Sequence, residues 1–313
     1  MKMNKKIIIP LFSTVAGLSL IGGTSGAVAW YQYNTRATAS FVGSSVADSG
    51  VLQIGYKADS ESPISWGRDV YETGSTNSNK LSPVTFGQMA ENNVLPTTAY
   101  GYPEAGKGAY ELWSAATKGK EYIQYDIYLK AQQADASQAS GYKQVAKDVY
   151  ITDMVLDGVT TGKEAIQDAL RVHLAVEGGT NYLISRTKVT DLALSGNLDL
   201  DADGVTDKEG GYAWSVDKDT PVVYGRNGEK QTTSGIADIR ASRNADGDIV
   251  GQEAKKICTT PVDGQQKITI TVWLEGWQTY GTPASSIWNA FTTGDATVNV
   301  GMTFDVGRNA FKQ

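Results

Sequence analysis

One stretch of this chain has the residue types and the spacing of a metal site. Asp199-Leu200-Asp201-Ala202-Asp203-Gly204-Val205-Thr206-Asp207-Lys208-Glu209 alternates acids with small or apolar residues. The hard Ca²⁺ ion takes several oxygen ligands, and a loop with alternating acids, a glycine turn and a backbone carbonyl supplies them. The ligands would be Asp199, Asp201, Asp203, the carbonyl of Val205 and Asp207, with Gly204 at the sharp turn. The pattern departs from an EF-hand at its end, where Gly210 stands in place of the bidentate Glu and Glu209 comes one residue early. Two readings stay open: a structural calcium site of the weak extracellular kind, or an acidic, solvated hairpin loop. Asn244-Ala245-Asp246-Gly247-Asp248 is a shorter echo that reads as a plain turn.

Other chemistry is sparse. His173 is the single histidine, so a His-based zinc centre has too few ligands and a Ser-His-Asp triad would have one candidate base. The sequence contains no H-E-x-x-H, no G-x-S-x-G elbow and no phosphate-binding glycine loop. Between Val172 and Leu174, His173 falls on the face opposite the strand's apolar set and reads as a surface or packing residue. Cys258 is the only cysteine, which rules out an intrachain disulfide and reads as a packed thiol. Paired acids for glycoside cleavage can converge in any fold with 34 acidic residues, so they carry little weight. Tyr100, Tyr102, Tyr110 and Trp113 cluster in sequence and read as loop-packing aromatics, with sugar stacking as the rival use. The chain is expected not to be an enzyme.

The elements available to position these residues are strands. Ile123, Tyr125, Ile127 and Leu129 alternate with polar neighbours, as do Ile268, Ile270, Val272 and Leu274, and then Val298, Val300, Met302, Phe304 and Val306. Leu170, Val172, Leu174 and Val176 make a fourth set. A period of two turns one face to a core and the other to solvent. Shorter strands are expected at Ala37–Val42, Val51–Tyr56, Val149–Leu156, Tyr182–Arg186 and Pro221–Tyr224, with helical turns at Phe86–Asn92 and Lys163–Asp168. Ala131–Ser140 reads as a long inter-strand loop. Together these predict an all-β fold, an antiparallel, jelly-roll-like sandwich with long loops.

The N-terminus sets the compartment. Lys2, Lys5 and Lys6 precede an apolar stretch from Ile7 that closes on Ala27-Val28-Ala29, the layout of a secretory signal peptide. Residues 1–29 are therefore expected to be a signal peptide, with a retained membrane anchor as the alternative, and 30–313 a single large β domain. Residues 1–29 hold three lysines and no acid, so their removal takes the net charge from −6 to −9. An acidic surface argues against nucleic acid, whose phosphates need a basic footprint. The expected location is secreted or cell-surface, with membrane contact only if residues 7–29 are kept.

Two stretches, Ala27–Gly50 and Ile268–Gly276 with its Val272-Trp273-Leu274-Glu275-Gly276 ending, together with the strand Val298–Val306, resemble secreted camelysin/TasA-like proteins of bacterial surfaces and biofilm matrix, and more loosely archaeal bundling pili. The resemblance implies a filament subunit that polymerises with copies of itself by donating its N-terminal strand. The donor would carry Tyr31, Tyr33, Thr35, Ala37, Ala39 and Phe41 on one face. An ordinary first strand in its own sheet is the alternative. Protease activity described for some camelysin-like proteins does not carry over, because the metal-ligand histidines are lacking. A viral jelly-roll coat protein and a surface carbohydrate-binding protein are the rival functions.

Overall fold

A computed structural model describes residues 35–43, 45–46, 50–57, 61–67, 69–71, 81, 83–86, 91–97, 99–101, 114–119, 121–189, 214–217, 220–222, 232–275 and 296–307. Nineteen strands run through them in chain order. They are β1 (Thr35–Gly43), β2 (Ser45–Val46), β3 (Gly50–Tyr56), β4 (Ser65–Gly67), β5 (Asp69–Tyr71), β6 (Pro83–Thr85), β7 (Tyr100–Gly101), β8 (Ser114–Ala115), β9 (Ile123–Ala134) and β10 (Tyr142–Val145). They continue with β11 (Asp148–Gly158), β12 (Leu170–Val176), β13 (Tyr182–Ser185), β14 (Trp214–Asp217), β15 (Thr220–Val222), β16 (Ser234–Gly235), β17 (Lys256–Thr259), β18 (Gln266–Glu275) and β19 (Ala296–Asp305). Short helical turns occur at Glu91–Asn93, Glu164–Ala169, Ile236–Ile239 and Glu253–Lys255. The all-β expectation holds.

The strands form two main sheets that share one apolar core. The first has the order β17-β11-β19-β1-β5. In the second, β18 lies beside β12 on one edge and beside β9 on the other, β9 pairs with β3, and β6 takes over the edge of β18 where β9 ends. Val149, Ile151, Met154, Leu156, Val298, Val300, Met302 and Phe304 from the first sheet pack into one cluster with Ile127, Leu129, Val172, Leu174, Ile268 and Ile270 from the second. The alternation of apolar residues that marks these strands is what lets each sheet offer a continuous inner face.

The sheets are mixed, whereas the sequence pattern predicted antiparallel pairing alone. β1 lies parallel to β19, β6 parallel to β18 and β13 parallel to β16. Period-two patterning selects which face is buried and is silent on strand direction. The described strand order does not establish a jelly roll.

Two local features re-aim side chains. In β11 the inward residues are Val149 and Ile151, then Met154 and Leu156, a change of parity. Its ladder with β19 shifts register between Ile151 and Asp153, so a bulge restores the inward aim of the second half. Gly55 of β3 sits under β4, where an added Cβ would come within 2.3 Å of Ile64 Cγ2 and 3.0 Å of the Trp66 ring. That ring in turn takes the Lys130 ammonium 3.8 Å from its centroid.

Ala131–Ser140 is not one long loop. Its first four residues complete β9 and pair with β10, and the seven residues 135–141 connect the two strands. At Phe86–Asn92 the expected helix reduces, among the described residues, to the single turn Glu91–Asn93.

Candidate functional site: a cleft on the outer face of the second sheet

The outer faces of β12, β18 and β9 align side chains in rows. His173 lies opposite Thr271, which lies opposite Gln124, and Ala175 lies opposite Thr269, which lies opposite Asp126. Gln124 Nε2 donates to Thr271 Oγ1 at 3.0 Å, and Thr269 Oγ1 donates to Asp126 Oδ1 at 2.6 Å. Period-two logic sends this face to solvent, yet part of it is covered. Phe86, Leu95, Ala99, Ala116 and Tyr122 pack against Trp273 and Leu183, making a second apolar cluster outside the main core. Phe86 meets Tyr122 and Trp273 edge-on, with ring centroids 5.1 and 4.9 Å away.

This cover buries polar groups that the strand pattern placed in water. His173 is 2% exposed, and Arg171 and Glu275 are fully buried. The Arg171 guanidinium donates through Nη1 to the carbonyls of Asp168 and Leu170, both at 2.9 Å. Burial pulls its pKa down to about 10, while the charges of Glu275 and Asp168 hold it up. Trp273 Nε1 donates to Glu275 Oε2 at 3.0 Å. Arg171 and Glu275 therefore stay a compensated charge pair beneath the aromatic cover.

His173 Nε2 donates to the Asn93 carbonyl at 2.7 Å. Desolvation lowers the histidine pKa, and the Asn93 bond opposes this only in part, so the ring is neutral at pH 7. With the proton on Nε2, Nδ1 is left as an acceptor. Asn93 also donates through Nδ2 to the Asn181 carbonyl at 3.4 Å. Asn92 and Asn93 both take left-handed backbone, with φ of 59° and 54°. Asn tolerates that region better than most residues, but each instance is disfavoured for an L-residue, and two in succession need support from their surroundings.

Between floor and cover lies an open cleft of about 410 Å³. His173, Ala175, Thr269, Thr271 and Gln124 form its floor, and Phe86, Tyr122, Asn181 and the segment Val94–Thr97 form its walls. No Asp, Glu, Lys or Arg lines it among the described residues. The Tyr122 phenol is held above its ordinary pKa, first by burial and then by the charge of Glu121, so it too is neutral.

The candidate residues read from sequence fare differently. Asp199, Asp201, Asp203, Val205 and Asp207 lie outside the described residues, as do Tyr31, Tyr33, Tyr102, Tyr110 and Trp113. Thr35, Ala37, Ala39 and Phe41 fall in β1, in register with Ala296, Val298, Val300 and Met302. Asn244–Asp248 is a closed turn, in which Asn244 Oδ1 accepts from the backbone N–H groups of Asp246 and Asp248. No group of three metal-ligating side chains occurs among the described residues. Cys258 is a free, buried thiol with its pKa pushed up to about 12 by burial, as a packed thiol should be.

One placement narrows the sequence reading and one corrects it. His173 is buried, the packing side of the surface-or-packing choice, because Phe86, Leu95, Ala99, Ala116 and Tyr122 pack over this face. Asp305, expected on the polar side of β19, is fully buried, accepts at Oδ1 from the backbone N–H of Val306 (2.8 Å) and Gly307 (3.1 Å), and pairs with Arg243. Sequence reasoning also missed Arg171, Gln124, Thr269 and Asn93 as a spatial group. The available signal was Trp273 and Glu275 on the nominally polar side of β18, since a tryptophan there needs cover.

No family model, curated protein or solved structure matches this chain. Among the described residues no helix is long and apolar enough to cross a membrane.

Proposed function

We propose that this protein is a secreted, non-enzymatic structural subunit that assembles with copies of itself by exchanging β1, with the Asp199–Asp207 loop as a calcium brace. The observation that supports it is the seat of β1. This first described strand pairs parallel with β19 over nine residues, Thr35–Gly43 against Ala296–Phe304. On its other edge it meets β5 over only three, Ser40–Val42. A parallel pair has no tight hairpin to tie its members together. The main-chain ladder that β19 offers is equally satisfied by β1 of its own chain or by β1 of a neighbour, which is the physical condition for strand exchange. The segment just before β1 carries the signal-peptide pattern, so export would leave this strand at the new end of the chain.

A chain lacking residues 30–43, incubated with a synthetic peptide of residues 31–43, tests this. The peptide is expected to bind stoichiometrically and raise the melting temperature, and the full mature chain to form filaments in electron micrographs. Monodisperse monomers with and without calcium, together with no peptide binding, would sink the reading.

A further inference from the structure

We propose that the cleft over β12, β18 and β9 is a binding site for one uncharged sugar ring, a function independent of strand exchange. Four observations on the same walls lead to it. The volume of about 410 Å³ falls in the range of small-molecule sites, which run from ~300 to 1,000 Å³. Its described lining residues are neutral, so among them none offers a counter-charge to a phosphate, a carboxylate or a cation. His173 is 98% buried, its Nε2 proton is committed to Asn93, and it lines the cleft with no further hydrogen-bond partner for Nδ1 among the described residues. The strained pair Asn92–Asn93 is held against this wall by His173 and by the Asn181 carbonyl. Backbone strain that the surroundings must sustain gathers at binding sites.

The ligand class follows from the mixture of surfaces. Phe86, Tyr122, Leu95 and Pro96 are its apolar lining, while the polar residues Thr269, Thr271, Gln124, Asn181 and His173 line the same small area. A pyranose has an apolar C–H face and a rim of hydroxyls that each donate and accept. It matches such a wall far better than an alkyl chain, which would strand the polar groups. Ala175 and Thr269 are the small floor residues that keep the space open.

The test uses the purified full chain and saturation-transfer NMR against methyl glycosides of glucose, galactose, mannose and N-acetylglucosamine, with glucuronic acid as the charged control. Saturable binding of at least one neutral glycoside is expected, with weaker or no binding of the uronic acid. Gln124→Ala is expected to weaken it about 10-fold, the effect of one lost hydrogen bond in a desolvated site. Ala175→Leu fills the floor and is expected to abolish it. Both variants are checked for an unchanged melting temperature, and Ala175→Val is the smaller filling variant should Ala175→Leu fail to fold. Binding of no neutral glycoside, binding of the charged sugar alone, or affinity unaltered in both Gln124→Ala and the folded floor variant would overturn the proposal. Filament formation is scored separately, so failure here leaves the assembly reading standing, and the reverse.

Discussion

The two faces of the β12–β18–β9 sheet are both buried over much of their area, by different means. The inner face is Leu170, Val172, Leu174, Ile268, Ile270, Val272, Ile123, Ile127 and Leu129, and it needs nothing but shape. The outer face buries Arg171, His173, Thr271, Trp273 and Glu275 under a thin cover of aromatics. There a buried donor or acceptor that loses its partner costs its desolvation. Burial fraction alone does not distinguish the two faces. The kind of change each tolerates does: the inner face responds to lost volume, and the outer face to a lost partner.

The sharpest way to break this contrast is to orphan the outer charge. Glu275→Leu removes one of the two opposite charges acting on the buried Arg171, and the expected loss is about 3–5 kcal/mol in urea unfolding. Adding Arg171→Met is expected to restore much of that. If the double variant were no better than the single, the two charges would not be acting as a pair.

On the inner face, Ile270→Ala is expected to cost about 2–5 kcal/mol and Ile270→Val about 0.5–1.5 kcal/mol, a graded response to volume. A loss in Ile270→Val as large as that in Glu275→Leu would erase the distinction between the faces.

A smaller effect concerns pH and belongs to the outer face alone. The folded-state pKa of His173 is lowered below its ordinary value of 6.5, so the unfolded chain binds the proton more readily. Stability from this group is complete above about 6.5 and is lost as the pH falls from there toward the folded pKa. Glutamine in its place can still donate an amide N–H toward the Asn93 carbonyl. Melting temperatures at pH 8 and pH 5.5 should therefore differ less in His173→Gln than in the parent. Identical pH slopes in both would show that His173 is not desolvated in solution.

The least effect is expected where the outer face meets water. The Lys267–Asp126 pair, at 2.7 Å with both side chains about a third exposed, should contribute less than ~1 kcal/mol, so Lys267→Ala should barely move the unfolding midpoint. A loss comparable to that of Ile270→Ala would mean that this pair is desolvated in solution.

Much of the framework was legible beforehand. Every long alternating run became a strand, and its apolar set became the core, because a two-residue period admits one way of burying a face. The single cysteine read as packed, and it is. The cleft was not legible. Gln124, Thr269 and His173 are separated by 49 or more positions, and only strand register brings them into neighbouring rows. The cover over Trp273 comes from Phe86, Leu95, Ala99, Ala116 and Tyr122, which follow no strong period in sequence. The parity change in β11 was likewise invisible, since one inserted residue looks the same in sequence as a lapse of pattern.

The sequence by itself determined the class of secondary structure, the inner faces, the acidic balance and the export-like start, because these depend on local residue order and composition. Tertiary structure alone decided that β1 runs parallel to β19, that His173, Arg171 and Asp305 are buried, and that a cleft with neutral described lining residues opens beside His173. Strand direction and the cover of a face depend on contacts between segments far apart in the chain. No local pattern encodes which distant segment will supply the missing partner.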